Sequence, residues 1–248
     1  MLRLLRLILI MWLLCFSGIA NAAEIRVAVA ANFRFASEAL AKQFEQATGH
    51  DVTLIFGSTG KHFAQIQHGA PFDVYLAADE LRPRMLEEDG IAVGGTRFIY
   101  AIGKLVLWSP HDDVAATLES RLGRGDFRFL SIANPTFAPY GRAARQYLQS
   151  VKLWATIQPR LVRGENVNQA YQYVFSHNAD LGLIAYARIK LPSSGTVGSY
   201  WEIPSTDYDP IRQQGILLKD TPPARAFIAY LRGEEARAII ESYGYTLP

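Results

Sequence analysis

The sequence predicts an α/β protein of two lobes, each a mainly parallel sheet flanked by helices, with two crossing strands as a hinge. Three observations carry this expectation. Short β-branched runs alternate with amphipathic segments, the signature of parallel strands covered on both faces. Two long stretches, the apolar run 98–108 and the strand 211–218, sit far apart in the chain, as strands passing between lobes would. A chain of 248 residues, half of them apolar, has the volume for two domains of about 100–120 residues with proper cores.

The elements follow in order. Ile25-Arg26-Val27-Ala28-Val29-Ala30 alternates as a strand, and Phe33, Ala36, Leu40, Phe44 and Ala47 then recur at helical spacing until Gly49. Residues 52–56 form a second strand, followed by Gly57-Ser58-Thr59-Gly60 and a short helix ending near Gly69-Ala70-Pro71. A third strand covers 73–78 and a helix 82–89. The run 98–108 exceeds one strand and is broken by Gly103-Lys104. Beyond it come strand 129–133 and helix 142–150, strand 160–162 and helix 168–176, and strand 181–186. Strand 211–218 and two helices, 223–231 and 234–243, complete the chain. The crossings are expected near 101–104 and 212–215, with the last helices returning to the first lobe. Lobe 1 is then 23–102 with 214–248, and lobe 2 is 103–213.

Residues 1–22 read as a secretory leader: Arg3 and Arg6, an apolar run through Phe16, and Ala20-Asn21-Ala22 as the cleavage site. The run is too short for a stable membrane span. The one cysteine, Cys15, lies inside it, and Leu14 before it argues against a lipoprotein. Cleavage near Ala22 removes two arginines and no acid from 25 basic and 23 acidic residues, leaving charge in balance. The mature chain is expected to be periplasmic, soluble, monomeric and without disulfides or thiolate metal sites. Its neutral balance argues against a nucleic-acid partner.

Four turns lie where parallel strands deliver the chain into helices, the edge at which open α/β sheets bind ligands. They are Ala30-Ala31-Asn32-Phe33, Gly57-Ser58-Thr59-Gly60, Ala138-Pro139-Tyr140-Gly141 and Glu165-Asn166-Val167-Asn168. Helix starts present unpaired amides and a partial positive charge, suited to an anion. The plainer reading is that Ser, Thr and Asn here are helix caps. The even split between lobes favours a shared site. Gly57 and Gly60 beside the hydroxyls would let backbone approach a ligand.

Other chemistries find less support. Gly57-Ser58-Thr59-Gly60-Lys61 is not a nucleotide loop, because Phe56 replaces the first glycine and His62 the final hydroxyl residue. No G-x-S-x-G elbow is present, and the five histidines show no zinc spacing. His111-Asp112-Asp113 reads as a solvated turn rather than a cation site, and Asp79-Glu80 as a helix cap. An exported esterase using Thr59 or Ser58 as nucleophile lacks a base at a suggestive spacing. Lys61, Arg34 and Arg142 flank the turns and would bias the cleft's potential without touching a ligand.

These residues resemble the periplasmic molybdate-binding proteins, the substrate-binding components of molybdate ABC transporters. The resemblance spans the mature chain. Its marks are Val27-Ala28-Val29-Ala30-Ala31-Asn32-Phe33, Gly57-Ser58-Thr59-Gly60 with Gln65-Ile66 and Gly69-Ala70-Pro71, and Asp73-Val74-Tyr75 with Ala78-Asp79-Glu80. Asn134-Pro135, Ala138-Pro139-Tyr140-Gly141, Asn166-Val167 and Tyr243-Gly244-Tyr245 complete it. The resemblance implies the two-lobed periplasmic binding protein fold and capture of molybdate or tungstate for a membrane permease, with no cofactor and no catalysis. By matched position the ion is held by Ala31, Asn32, Thr59, Tyr140 and Val167, with Ser58 and Gly60 as further candidates. The contacts of Asn32, Thr59, Tyr140 and Val167 are to oxyanion oxygens, not to the metal. Asn32 stands where many members have Ser, and Thr59 replaces the second Ser of an S-S-G turn. A cleft tyrosine of some members aligns with Ala185 and is not carried over.

Physical chemistry agrees with this choice. A dianion such as molybdate only accepts hydrogen bonds, so a cage of donors suits it, whereas phosphate near neutral pH also needs an acceptor for its proton. Sulfate or another small tetrahedral oxyanion is the alternative, since turn chemistry does not report cavity size. Charge-assisted hydrogen bonds are each worth roughly 1.5–3 kcal/mol. Five to seven of them, less dehydration and closure, leave about 8–12 kcal/mol, or micromolar to nanomolar binding.

Overall fold

The computed structural model describes residues 23–111, 114–192, 195–196 and 198–248. The leader, with Cys15, and the acidic pair Asp112 and Asp113 lie outside the described residues. In chain order the first unit runs β1 (Glu24–Ala30), a 3-10 turn (Ala31–Phe33), α1 (Arg34–Thr48), β2 (Asp51–Gly57), α2 (Thr59–Gln67), β3 (Val74–Leu76), α3 (Leu81–Glu88) and β4 (Phe98–Gly103). There follow β5 (Leu105–Ser109), α4 (Leu118–Arg124), β6 (Leu130–Ala133), α5 (Pro139–Ser150), α6 (Trp154–Ile157), β7 (Leu161–Gly164), α7 (Val167–Phe175) and β8 (Leu181–Ala185). A hairpin of β9 (Lys190–Leu191) and β10 (Gly195–Thr196) precedes β11 (Ser199–Glu202), β12 (Ile211–Leu217), α8 (Pro222–Leu231) and α9 (Glu234–Ser242).

The strands form two five-stranded sheets, ordered β2-β1-β3-β12-β4 and β11-β5-β8-β6-β7. Both are mixed. β1 is parallel to β2 and β3, and β6 to β7 and β8. The remaining pairs are antiparallel, because β12 and β5 enter their sheets from the opposite sheet's side and run against the residents. The parallel half of each sheet supplies the strand-to-helix turns.

The chain passes between sheets at Lys104, which separates β4 from β5, and again in 203–210. The second passage therefore precedes the 212–215 expected from sequence. Arg212 pairs with Ile102 and Gly215 with Phe98 inside the first sheet. Pro204 and Pro210, which have no amide to donate, bracket the passage instead. Four short elements leave no mark in the hydrophobic pattern: α4, α6, the β9–β10 hairpin and the edge strand β11.

Packing follows the two periodicities. Ile25, Val27 and Val29 point to one face of the first sheet, against Leu40 and Phe44 of α1 and Phe227 and Leu231 of α8. Ala28 and Tyr75 point to the other, against Ile66, Phe72 and Leu86. The second sheet buries its own core of Leu105, Leu107, Trp108, Leu130, Ile132, Leu181 and Leu183 with the inner faces of α5 and α7. Gly49 closes α1 in the left-handed conformation, φ 73°, where only a residue without Cβ sits at ease. No described helix is long and apolar enough to cross a membrane.

Candidate functional site

The four turns converge on one small cavity. Its lining is Ala30, Ala31 and Asn32 after β1, Gly57, Ser58 and Thr59 after β2, Ala138, Pro139 and Tyr140 at α5, and Asn166 and Val167 at α7. The space free of protein atoms is about 200 Å³. That suits one small polyatomic ion and excludes an organic ligand of ordinary size. Two wider clefts flank it, of about 860 and 1090 Å³ on the same measure, and arginines such as Arg212 and Arg188 reach into them.

Each turn leaves specific donors free. Turn residues that the sequence pattern places in loops are in fact the first helical residues: α2 starts at Thr59, α5 at Pro139 and α7 at Val167. Their leading amides have no intrahelical acceptor. In α7 the Asn166 side chain accepts from the amides of Asn168 and Gln169, both at 3.1 Å. The Val167 amide is the one this cap leaves over. In α5, Ala138 caps without a side-chain bond and Pro139 has no amide, so the Tyr140 amide is the first donor of that helix.

The hydroxyls are oriented by what they accept. Ser58 Oγ takes the Lys61 amide at 3.4 Å, a true helix cap, so the capping reading of this turn holds for Ser58. Thr59 Oγ1 takes the Ala78 amide at 3.1 Å. With an acceptor position used on each oxygen, each O–H hydrogen is left to donate. The Tyr75 hydroxyl fixes the same turn by donating to the Thr59 carbonyl at 2.7 Å. Gly57 is required beneath it, since a Cβ there would stand 2.9 Å from the buried His62 ring.

Six of the seven residues singled out from sequence, Ala31, Asn32, Ser58, Thr59, Tyr140 and Val167, lie on this lining. Gly60 does not. Its amide crosses the cleft to the Phe137 carbonyl at 2.8 Å and is not available to a ligand. The Asn32 side chain is also spent, donating to Gln213 Oε1 at 2.8 Å and to the Tyr245 hydroxyl at 3.1 Å. Asn32 therefore offers the cavity its backbone. Ala185, wholly buried in β8, is absent from the lining.

Among the described residues, no charged side chain lines the cavity. Lys61 pairs with Glu165 across the cleft at 2.7 Å, Arg34 with Glu38 at 3.2 Å, and Arg142 with Asp79 at 2.7 Å. Asp79 is buried, caps α3 by accepting the Arg82 amide at 3.1 Å, and also pairs with the Arg82 guanidinium. The cross-cleft bonds, with Asn168 Nδ2 donating to the Ala31 carbonyl at 2.6 Å, shut the two halves over the cavity. Sequence reasoning misses this clasp; it places Ala30, Gly57, Ala138, Pro139 and Asn166 in the four turns without singling them out as contacts, and all five line the cavity. Nothing in residue type marks an alanine or proline as cavity wall.

A cleft between two α/β units, closed over a donor-lined cavity, defines a solute-binding protein. The chain belongs to the bacterial extracellular solute-binding protein family, whose pattern it matches over residues 25–246. It is 46% identical over 231 residues to the molybdate-binding protein ModA of Azotobacter vinelandii, covering 92% of each chain. It is 41% identical to the protein of that name from Rhodobacter capsulatus, covering 91% of this chain and 89% of that one. The solved Azotobacter vinelandii periplasmic molybdate-binding protein superposes with a TM-score of 0.87 and 40% identity, over 90% of this chain and 99% of the other. The fold is the two-lobed periplasmic binding protein fold.

Proposed function

We propose that this protein is exported to the periplasm, captures molybdate or tungstate in the cavity between its lobes, and delivers the ion to an ABC transporter permease. The observation that carries the reading is the lining itself: uncharged donors from both sheets and no carboxylate or cation. The Ala31, Asn32, Tyr140 and Val167 amides and the Thr59 hydroxyl are the donors, with the Ser58 hydroxyl beside them. Partial charges at several helix starts supply the positive potential, and water is excluded by the closed cleft. Neutral donors also favour release, because no paired cation holds the ion once the lobes part.

The expected lobes, 23–102 with 214–248 and 103–213, are proposed with one change: because β12 belongs to the first sheet, the second boundary is set within 203–210. Cleavage near Ala22 and action as a monomer without catalysis or cofactor belong to the same proposal. The relatives at 46% and 41% identity are named for molybdate, which favours this ion over sulfate. Calorimetric titration tests the reading. Molybdate and tungstate are expected to bind at micromolar or tighter affinity with sulfate and phosphate far weaker. Heat with sulfate alone would contradict it.

A further inference from the structure

Asn32 and Tyr140 line the cavity from opposite lobes, and both side chains lead to Gln213. Gln213 is wholly buried on β12, the strand that follows the second passage between sheets. It sits at a bulge: Gln213 pairs with Ala101 and Gln214 with Ile99, leaving Tyr100 as the extra residue of β4. A bulge re-aims side chains. Here Gln213 Oε1 accepts from Asn32 Nδ2 at 2.8 Å and from the Tyr100 hydroxyl at 3.2 Å. The Tyr245 hydroxyl closes the ring by donating to the Asn32 carbonyl at 2.8 Å.

The other end of Gln213 is unfinished. Its Nε2 and the Tyr140 hydroxyl are both buried and near enough for Gln213 to draw the phenol's pKa down against the effect of burial, yet among the described residues neither completes a well-formed hydrogen bond. They are neighbours all the same. A Cβ on Gly103 would stand 2.9 Å from Nε2 and 2.1 Å from the Tyr140 oxygen, so glycine alone fits there. Gly103 is the last residue of β4, immediately before the first passage between sheets. Burial pushes the Tyr140 phenol well above its ordinary range, so it stays a neutral hydroxyl able to accept from an amide. A donor and a hydroxyl buried side by side and so poorly joined are expensive to leave that way.

We propose that Gln213 is a positioning residue for the bound oxyanion. It fixes Asn32 in the first lobe, and on binding takes up the Tyr140 hydroxyl across Gly103, drawing the start of α5 and its leading amide onto the ion. The inference rests on the oxyanion reading of the cavity and adds a residue that never touches the ligand.

The test is molybdate binding by wild type, Gln213→Leu, Tyr140→Phe and the double variant, with release rates by stopped flow. Tyr140→Phe keeps the backbone amide. Gln213→Leu is expected to weaken binding by about tenfold or more, through faster release at an unchanged association rate, and Tyr140→Phe by a smaller factor. The double variant is expected to bind no worse than Gln213→Leu alone, because the second change removes a group already without its partner. Effects that multiply, or wild-type affinity and release in Tyr140→Phe, overturn the inference; the latter decides it even if Gln213→Leu fails to fold. A wild-type protein that ignores molybdate overturns the oxyanion reading and this inference with it.

Discussion

The Ala78 amide donates to the Thr59 hydroxyl at 3.1 Å. That bond occupies a lone pair and leaves the Thr59 hydrogen free to donate into the cavity that this buried side chain, 1% exposed, lines. Thr59→Ala deletes both ends of the arrangement. Molybdate binding is expected to weaken by about 1–3 kcal/mol, with Thr59→Ser close to wild type. Equal affinity in Thr59→Ala, measured by calorimetry, removes this hydroxyl from the ion's shell.

Gly60 is a contact of closure. A Cβ there would meet the Phe137 Cα and carbonyl oxygen, each at 2.9 Å, across the cleft. Its backbone is helical, so alanine suits α2 itself and raises helix stability by about 0.5–1 kcal/mol. Gly60→Ala is therefore expected to keep or gain thermal stability without ligand, and to lose about tenfold or more in molybdate affinity. The pairing of the two results is the check; unchanged affinity means the cleft need not shut at this point.

Asn166 sorts the amides at the start of α7, taking those of Asn168 and Gln169. Asn166→Ala is expected to lower stability by about 1 kcal/mol, as loss of a cap does. It should also weaken binding, since the Val167 amide loses its fixed place. Asn166→Asp is expected to restore the cap and still bind molybdate poorly, because it brings a negative charge to the lining. Tight binding by Asn166→Asp would show that this wall does not face the ion.

His62 lies buried under Gly57, with Nε2 3.2 Å from the Val29 carbonyl. Burial, outweighing its hydrogen bonds to Gln65 and to backbone, holds its pKa below the ordinary 6.5. The unfolded chain then binds a proton that the native state resists, so stability falls as pH drops through the ordinary histidine value. Urea unfolding at about pH 7.5 and 5.5 is expected to show a smaller acid loss in His62→Gln than in wild type. Identical losses would place the acid sensitivity elsewhere.

Much of this architecture is legible in the residues themselves. Val27, Ala28 and Val29 alternate, Leu40 and Phe44 recur at helical spacing, and the glycines and small residues between them mark turns, because burial on two faces imposes those periods. The helix starts are harder to read: Pro139 and Thr59 look like loop residues, yet their backbone is already helical, and this is what frees the amides. The cross-cleft pairs, such as Lys61 with Glu165 and Arg142 with Asp79, join residues far apart in sequence and leave no local signal. Gln213 is hidden for a further reason. A glutamine between Arg212 and Gln214 looks solvent-facing until its partners Asn32 and Tyr100 are seen around it.

The most direct measurement is a crystal structure grown with tungstate, the ion located by its anomalous scattering. The ion is expected between Thr59 and Val167, within hydrogen-bonding distance of amides from both lobes and of no lysine or arginine. An ion seated instead against Arg188 or Arg212 in a flanking cleft would contradict the account.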